Sequence, residues 1–354
     1  MPVRKILILG ASYGSLLGVK LALAGHDARL VCLPAEADLI NASGAIVRMP
    51  VKGREAMVEV NSRDLPGRLD AAVPSSVDPA AYDMVALAMQ EPQYRSPGVR
   101  ELLDAVAKSR LPCMSIMNMP PMPYLKRIPG IDANGCVDCY TDATVWANFD
   151  PRSMTLCSPD PQAFRPPEEA VNVLQVRLPT NFKAARFEAP EHTALLRELA
   201  SDIEAARYAS GGEKIELPVK LKVHESVFVP LAKWAMLLAG NYRCVLAETV
   251  RPIKEAVHGD LEASRAVYQW VVQLCVRLGA SEADLVPFEK YADAALSLGS
   301  PSSAARALAA GAQYIERVDR LVQSVAAQVG MRNAAVDETV ALVDAWLVRN
   351  RRKG

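Results

Sequence analysis

Residues Ile6 to Gly18 constrain the fold more than any other segment. Ile6-Leu7-Ile8-Leu9 is an unbroken apolar run, and Gly10, Gly14 and Gly18 follow it. A continuous apolar run suits a parallel strand buried on both faces. Ser15 to Ala24 reads as a helix that Gly25 can close in the left-handed conformation. A strand, a glycine turn and a helix in that order open a βαβ unit. Such a turn offers backbone N–H groups to a phosphate at the positive end of the helix. Arg4 and Lys5 ahead of an apolar stretch are also how a secretory signal begins. The three glycines, and Lys20 among them, favour the strand–turn–helix instead.

The alternation continues. Ala28 to Cys32 reads as a second strand, and Ala45 to Val60 as an antiparallel hairpin around Gly53. Met84 to Met89 and Cys113 to Met117 are buried strands with a helix from Val99 to Ala107 between them. Strands alternating with helices imply a doubly wound parallel sheet of Rossmann type. The stretch from Pro120 to Gly212 is proline-rich and less regular, with a strand expected over Val137 to Val145 and a helix over Pro190 to Arg207. Beyond Gly211-Gly212 only helices are expected, at about 231–247, 260–278, 282–298, 302–329 and 335–350. The fold class is therefore α/β followed by all-α. Residues 1–212 would form a dinucleotide-binding domain and residues 213–354 an all-helical substrate and dimerisation domain.

Lys and Arg number 40, as do Asp and Glu. That balance argues against a nucleic-acid partner, which calls for a clustered basic excess. Arg351-Arg352-Lys353 is a short solvated tail. No stretch offers the ~20 uninterrupted apolar residues of a membrane span. Seven cysteines, an odd count, fit a reduced, cytoplasmic setting. Cys136-Val137-Asp138-Cys139 is a lone C-x-x-C without further ligands at useful spacing, so no metal is expected.

The turn is Gly-x-x-x-Gly-x-x-x-Gly, a departure from the usual Gly-x-Gly-x-x-Gly. Gly10-Ala11-Ser12-Tyr13-Gly14 also spells a nucleophile elbow, but elbows follow several strands rather than the first. Short-chain dehydrogenases have a similar turn, yet no tyrosine here has a lysine four residues on. A dinucleotide contacted by Gly10, Ser12, Tyr13 and Gly14 is the remaining reading, beside that of a plain strand–helix turn.

Lys233 is the only charged residue between Pro230 and Tyr242. Regular helical spacing would put Lys233, Leu237 and Asn241 on one face, with Lys233 and Asn241 ~12 Å apart along the axis. A cation there could stabilise the oxyanion of a carbonyl under reduction and donate its proton; a lysine that snorkels to the helix edge is the alternative. Asn118 closes a parallel strand on the edge where such sheets bind ligands, or else starts a turn toward Pro120. Ser303 stands where a helix cap would. Glu316 lies beside the apolar stripe Leu308, Ile315, Val322 and Val329 and is placed to pair with Arg320 in solvent. His224-Glu225 could mimic the acid–base dyad of opine dehydrogenases.

Four segments together resemble the ketopantoate reductase (2-dehydropantoate 2-reductase) family. They are the glycine turn with Leu16-Leu17-Gly18, the run from Ala24-Gly25-His26-Asp27 to Val31, Met117-Asn118, and Pro230-Leu231-Ala232-Lys233-Trp234 leading to Asn241. The resemblance implies an NAD(P)H-dependent reductase of a 2-oxo acid, with NADP as cofactor and NAD as the second choice. It implies Lys233 as catalytic acid, Asn118 at both cofactor and substrate, and Asn241, Ser303 and Glu316 at the substrate. Departures are clear. Gln90, an expected cofactor contact, replaces the family's lysine. Leu237 replaces an asparagine, Met119 a glycine, and Leu33 the arginine that meets the 2′-phosphate. The late glutamate falls on Ile315 unless Glu316 fills it with a one-residue shift. These departures point away from ketopantoate itself. A homodimer through the helical domain is compatible with this reading. An opine-type dehydrogenase and a non-catalytic dinucleotide sensor are its rivals.

Overall fold

The computed structural model describes residues 2–353. In chain order the strands and helices begin β1 (Lys5–Leu9), α1 (Tyr13–Leu23), β2 (Asp27–Val31), α2 (Pro34–Ser43), β3 (Ile46–Met49), β4 (Val58–Asn61) and β5 (Leu69–Ala72). They continue with β6 (Met84–Leu87), α3 (Val99–Ser109), β7 (Cys113–Ile116), α4 (Met122–Leu125), β8 (Met154–Ser158), β9 (Gln162–Phe164) and β10 (Val173–Leu178). Then follow β11 (Phe182–Ala185), α5 (Pro190–Ala205), β12 (Tyr208–Ser210), β13 (Glu213–Ile215) and β14 (Leu221–His224). The remainder is helical: α6 (Lys233–Met236), α7 (Ile253–His258), α8 (Leu261–Arg277), α9 (Phe288–Ala295), α10 (Ser303–Ala309), α11 (Val318–Gln328) and α12 (Ala334–Lys353). Two compact units result. The first holds residues 1–89, 93–117 and 145–225, and the second residues 90–92, 118–144 and 226–354. The sheet does not end at residue 212: β14 pairs with β11, so the first unit runs on to Glu225.

The first unit is built on an eight-stranded sheet in the order β14-β11-β8-β7-β6-β1-β2-β5. Every pairing in it is parallel except that of β11 with β8. β1 sits between β2 and β6, and Ile6 to Leu9 are fully buried, as an apolar run without alternation demands. Strand order reverses there, and parallel sheets bind ligands beyond the carboxyl ends of their strands at such a point. The hairpin around Gly53 forms β3 and β4 of a smaller sheet, β4-β3-β10-β9.

Helix α1 lies very close to the sheet because glycines face it. A Cβ on Gly14 would stand 2.8 Å from Ile8 Cγ2, and one on Gly18 2.7 Å from Leu69 Cδ1. Gly10 has φ +106° and abuts the carbonyl of Ala88. Gly14 thus serves the packing of helix on strand: the space beside its Cα is filled by Ile8 and Leu30.

Elsewhere the structure differs from the sequence reading. Val137 to Val145 is no strand: Ala133–Cys139 is a 3₁₀ helix that buries Ala133, Cys136 and Cys139 on one three-residue-spaced face, and Ala143–Trp146 is another. The strands β8 to β11 were hidden in the proline-rich middle. The helix expected over 302–329 is two, α10 and α11, parted at Gly311 with φ +91°. The helix expected over 282–298 shrinks to α9, entered through Pro287. Among the described residues no helix is long and apolar enough to cross a membrane.

Gly14→Val would force a branched side chain against Ile8 and Leu30. We expect it to lower unfolding free energy by about 1–3 kcal/mol, the usual range for overpacking. Urea denaturation checks this, and an unchanged midpoint would refute the packing role.

Candidate active site

The second unit gathers polar side chains around one cavity. Gln90, Asn118, Asn241, Tyr242, Ser303 and Glu316 line it together with Leu237, Ile315 and two alanines. Gln90 follows the end of β6 by three residues and Asn118 that of β7 by two. The cavity is small, about 20 Å³. A larger one of about 390 Å³, walled by Trp270, Gln323, Arg332 and Asp337 among others, shares none of these residues. Chemistry, not volume, distinguishes the smaller.

Leu237 and Asn241 reach the cavity through an irregular helix. A 3₁₀ turn over Val229–Ala232 leads into α6, a π turn spans Leu237–Asn241, and a 3₁₀ turn closes at Tyr242–Cys244. The single regular helix expected over 231–247 is therefore absent. A π turn widens the helix locally, so Lys233, Leu237 and Asn241 do not share the straight stripe that regular spacing implies. Lys233 is half-buried and stands one turn before Leu237, but it is not among the residues lining the cavity.

Ser302, not Ser303, caps α10: its hydroxyl accepts from the N–H of Ala305 and donates to the carbonyl of Asn241 at 2.7 Å. Ser303, the first helical residue, is left exposed at the cavity.

Glu316 is the group that sequence reasoning misplaced most. It is 8% exposed and lies in the non-helical link between α10 and α11, so it cannot pair with Arg320 along a helix. Arg320 approaches Asp344 instead, at 3.9 Å. One carboxyl oxygen of Glu316 accepts from the N–H of Glu91 at 3.3 Å and the other from Asn118 Nδ2 at 3.4 Å. Tyr242 donates its hydroxyl to the Glu316 carbonyl at 2.5 Å and accepts from the N–H of Val318. Burial pushes the Glu316 carboxyl up to about 7, and the nearby Glu91 carboxylate adds to the shift against these hydrogen bonds. Glu91 itself, 2% exposed, accepts from both the N–H and the hydroxyl of Thr141. Sequence reasoning missed Glu91; an acidic residue so soon after a buried strand was the available signal. Asn118 Oδ1 is buried without a hydrogen-bond partner, an acceptor whose need is unmet.

In the first unit, the turn after β1 fits a phosphate. Ser12 is the N-cap of α1 but makes no side-chain cap, and the first turn carries no acidic residue. The N–H of Ser15 is met by the carbonyl of Ser12, and the N–H groups of Tyr13 and Gly14 have no acidic side chain beside them in the first turn, so this positive helix end could receive an anion. Tyr13 gives its hydroxyl to the carbonyl of Pro161 at 2.8 Å, and burial pushes its pKa up to about 12. His26 lies 3.0 Å from Asp202, both buried. Glu225 is paired with Arg197 and Arg186, which removes it from a dyad with His224.

No family model matches this chain, and no curated protein matches its sequence. Solved structures do match. A 2-dehydropantoate 2-reductase from Methylococcus capsulatus superposes with a TM-score of 0.66 at 13% identity over 98% of both chains. A PanE/ApbA family ketopantoate reductase from Ralstonia eutropha JMP134 gives 0.62 at 16% identity, over 98% of this chain and 99% of its own. The fold is that of the ketopantoate reductases. D-mandelate dehydrogenase, in a ternary structure with NADH and anilino(oxo)acetate, has it too, with a TM-score of 0.63 at 14% identity over 98% of this chain and 99% of its own.

Folding favours the protonated form of Glu316, whose ordinary value is 4.5 and folded value about 7. Its contribution to stability is complete below 4.5 and is lost as pH rises through about 7. Glu316→Gln should therefore melt near the wild-type temperature in mild acid and several degrees above it in mild base. Thermal melts across that range check this; a gain independent of pH would refute it.

Proposed function

We propose that this chain is a divergent member of the ketopantoate reductase family and reduces a 2-oxo acid to a 2-hydroxy acid with NADPH or NADH. One observation carries the reading: in a chain with this fold, Gln90, Asn118, Asn241, Ser303 and Glu316 converge on one cavity. A nicotinamide dinucleotide, held at the turn of Gly10, Ser12, Tyr13 and Gly14, supplies the hydride when bound. The side chains do the rest.

The Ser303 hydroxyl and the Asn241 amide donate hydrogen bonds to the substrate carboxylate. Glu316, neutral below about pH 7, does not repel that anion. The unpartnered Asn118 Oδ1 accepts from the hydroxyl that forms as the carbonyl is reduced. Lys233, one turn from the cavity wall at Leu237, gives the proton to the developing alkoxide. Leu237 and Ile315 make the cavity less polar than an asparagine and a glutamate would, which favours a substrate with an apolar tail. The shared fold of D-mandelate dehydrogenase, seen with anilino(oxo)acetate, supports the same substrate class. A cytoplasmic setting and a homodimer belong to this proposal through the family resemblance.

Oxidation of NADPH and NADH against a panel of 2-oxo acids tests the reading. Lys233→Met should lower kcat about 10²-fold or more while dinucleotide affinity survives, since general acid catalysis is worth about that much. Near-native kcat in that variant would end the role of Lys233. Ketopantoate outrunning every other 2-oxo acid in kcat/KM would end the substrate assignment. Turnover that requires an added amine would instead favour an opine-type dehydrogenase, and tight binding without turnover a sensor.

A further inference from the structure

The segment after β8 reaches back to the first two helices of the first unit. Pro161 receives the hydroxyl of Tyr13, which opens α1, and Arg165 pairs through Nη2 with the carboxylate of Glu36 in the first turn of α2. Both contacts lie where β1 and β2 hand over to the helices that follow them. In a Rossmann-type sheet the adenine ribose of a dinucleotide lies beyond the second strand, where an acidic residue takes a free 2′-hydroxyl or an arginine takes a 2′-phosphate.

The residues immediately after β2 supply neither. They are Cys32 and Leu33, and Leu33 is uncharged and 74% exposed. The charges come from elsewhere, and close by. Burial pushes the Cys32 thiol up, the carboxylate of Glu36 adds to the shift and the Arg165 guanidinium opposes it. Cation and anion therefore both stand near the end of β2. The Arg165 side chain is 30% exposed and that of Glu36 12%. A guanidinium has five donors in a planar fork, and the contact with Glu36 occupies one nitrogen. The remaining donors are available to an anion, while Glu36 holds the fork in place and is itself neutralised.

We propose that Arg165, supplied from the far side of the sequence and held by Glu36, receives the 2′-phosphate of NADPH and sets the cofactor preference of this chain. The assignment rests on the dinucleotide reading above. Glu36 competes with the phosphate for the same cation. The two members of the ion pair should therefore act in opposite directions, which a merely structural pair would not do.

Isothermal titration of the full chain with NADPH and with NADH tests this, with thermal melts to confirm that each variant is folded. Arg165→Ala should weaken NADPH about tenfold or more and leave NADH within about twofold, as expected for loss of a charge-assisted phosphate contact. Arg165→Lys, which keeps the charge but not the fork, should fall between. Glu36→Gln keeps an oxygen to hold the fork but removes the competing charge, and should bind NADPH as tightly as the wild type or more so. Equal losses for both cofactors in Arg165→Ala, no loss for either, or a Glu36→Gln variant weakened for NADPH would each overturn the inference while the dinucleotide reading stands. A folded wild-type chain that binds neither cofactor would overturn both.

Discussion

Keeping a carboxyl group out of water is costly unless its polar atoms are met, and the second unit is laid out around that demand at Glu316. The link between α10 and α11 departs from helical geometry, and so turns Glu316 toward Asn118 and the N–H of Glu91. On its other side the link is locked by Arg317, which donates through two nitrogens to the fully buried Asp319 at 2.9 Å and through a third to Asp344 at 2.6 Å. Tyr242 fixes the backbone between them. Because Tyr242 follows the π turn directly, the same constraint holds Asn241 and Leu237 at the cavity.

The first unit answers a different demand. Its opening helix must approach the sheet closely and keep its positive end clear of competing acceptor side chains. Glycine at 14 and 18 meets the first requirement, and the lack of a side-chain cap or an acid meets the second. The far end of α1 is tied down by an unusual group. Lys20, 2% exposed, donates to the carbonyls of Leu217 and Pro218, and burial together with nearby Lys220 brings its ammonium down to about 7. The helix is thus anchored to the connection that leads into β14. One unit offers positive helix-end dipole to an anion, and the other a cavity lined without lysine or arginine.

The sequence is legible wherever structure follows from local pattern. Residues 5–31 could be read almost residue by residue, because a buried apolar strand, a glycine turn and an apolar helix closed by Gly25 each have one inexpensive conformation. The fold class followed from strands alternating with helices, and the family resemblance drew attention to Gln90, Asn118, Asn241, Ser303 and Glu316. Reading failed where distant contacts override local preference. Nothing near residue 316 announces that its carboxyl will meet Glu91, 225 positions away. The π turn is equally silent in a stretch of Leu, Ala and Gly that suits a regular helix. Cys136 and Cys139 share the buried face of a 3₁₀ helix, an element of a few residues that leaves no extended periodicity to read.

The contacts of Tyr13 with Pro161 and of Glu36 with Arg165 span 148 and 129 residues. A nascent chain emerging from its N-terminus could complete β1, α1 and β2 early, since their pairings are local, and would then possess the phosphate turn alone. The two residues that reach back, Pro161 and Arg165, arrive only after six of the eight strands of the main sheet have been made. Long-range closures of this kind slow folding. They also make the surroundings of the first two helix starts a property of the whole first unit, so that an excised βαβ fragment would keep the glycine motif and lose the partners of Tyr13 and Glu36.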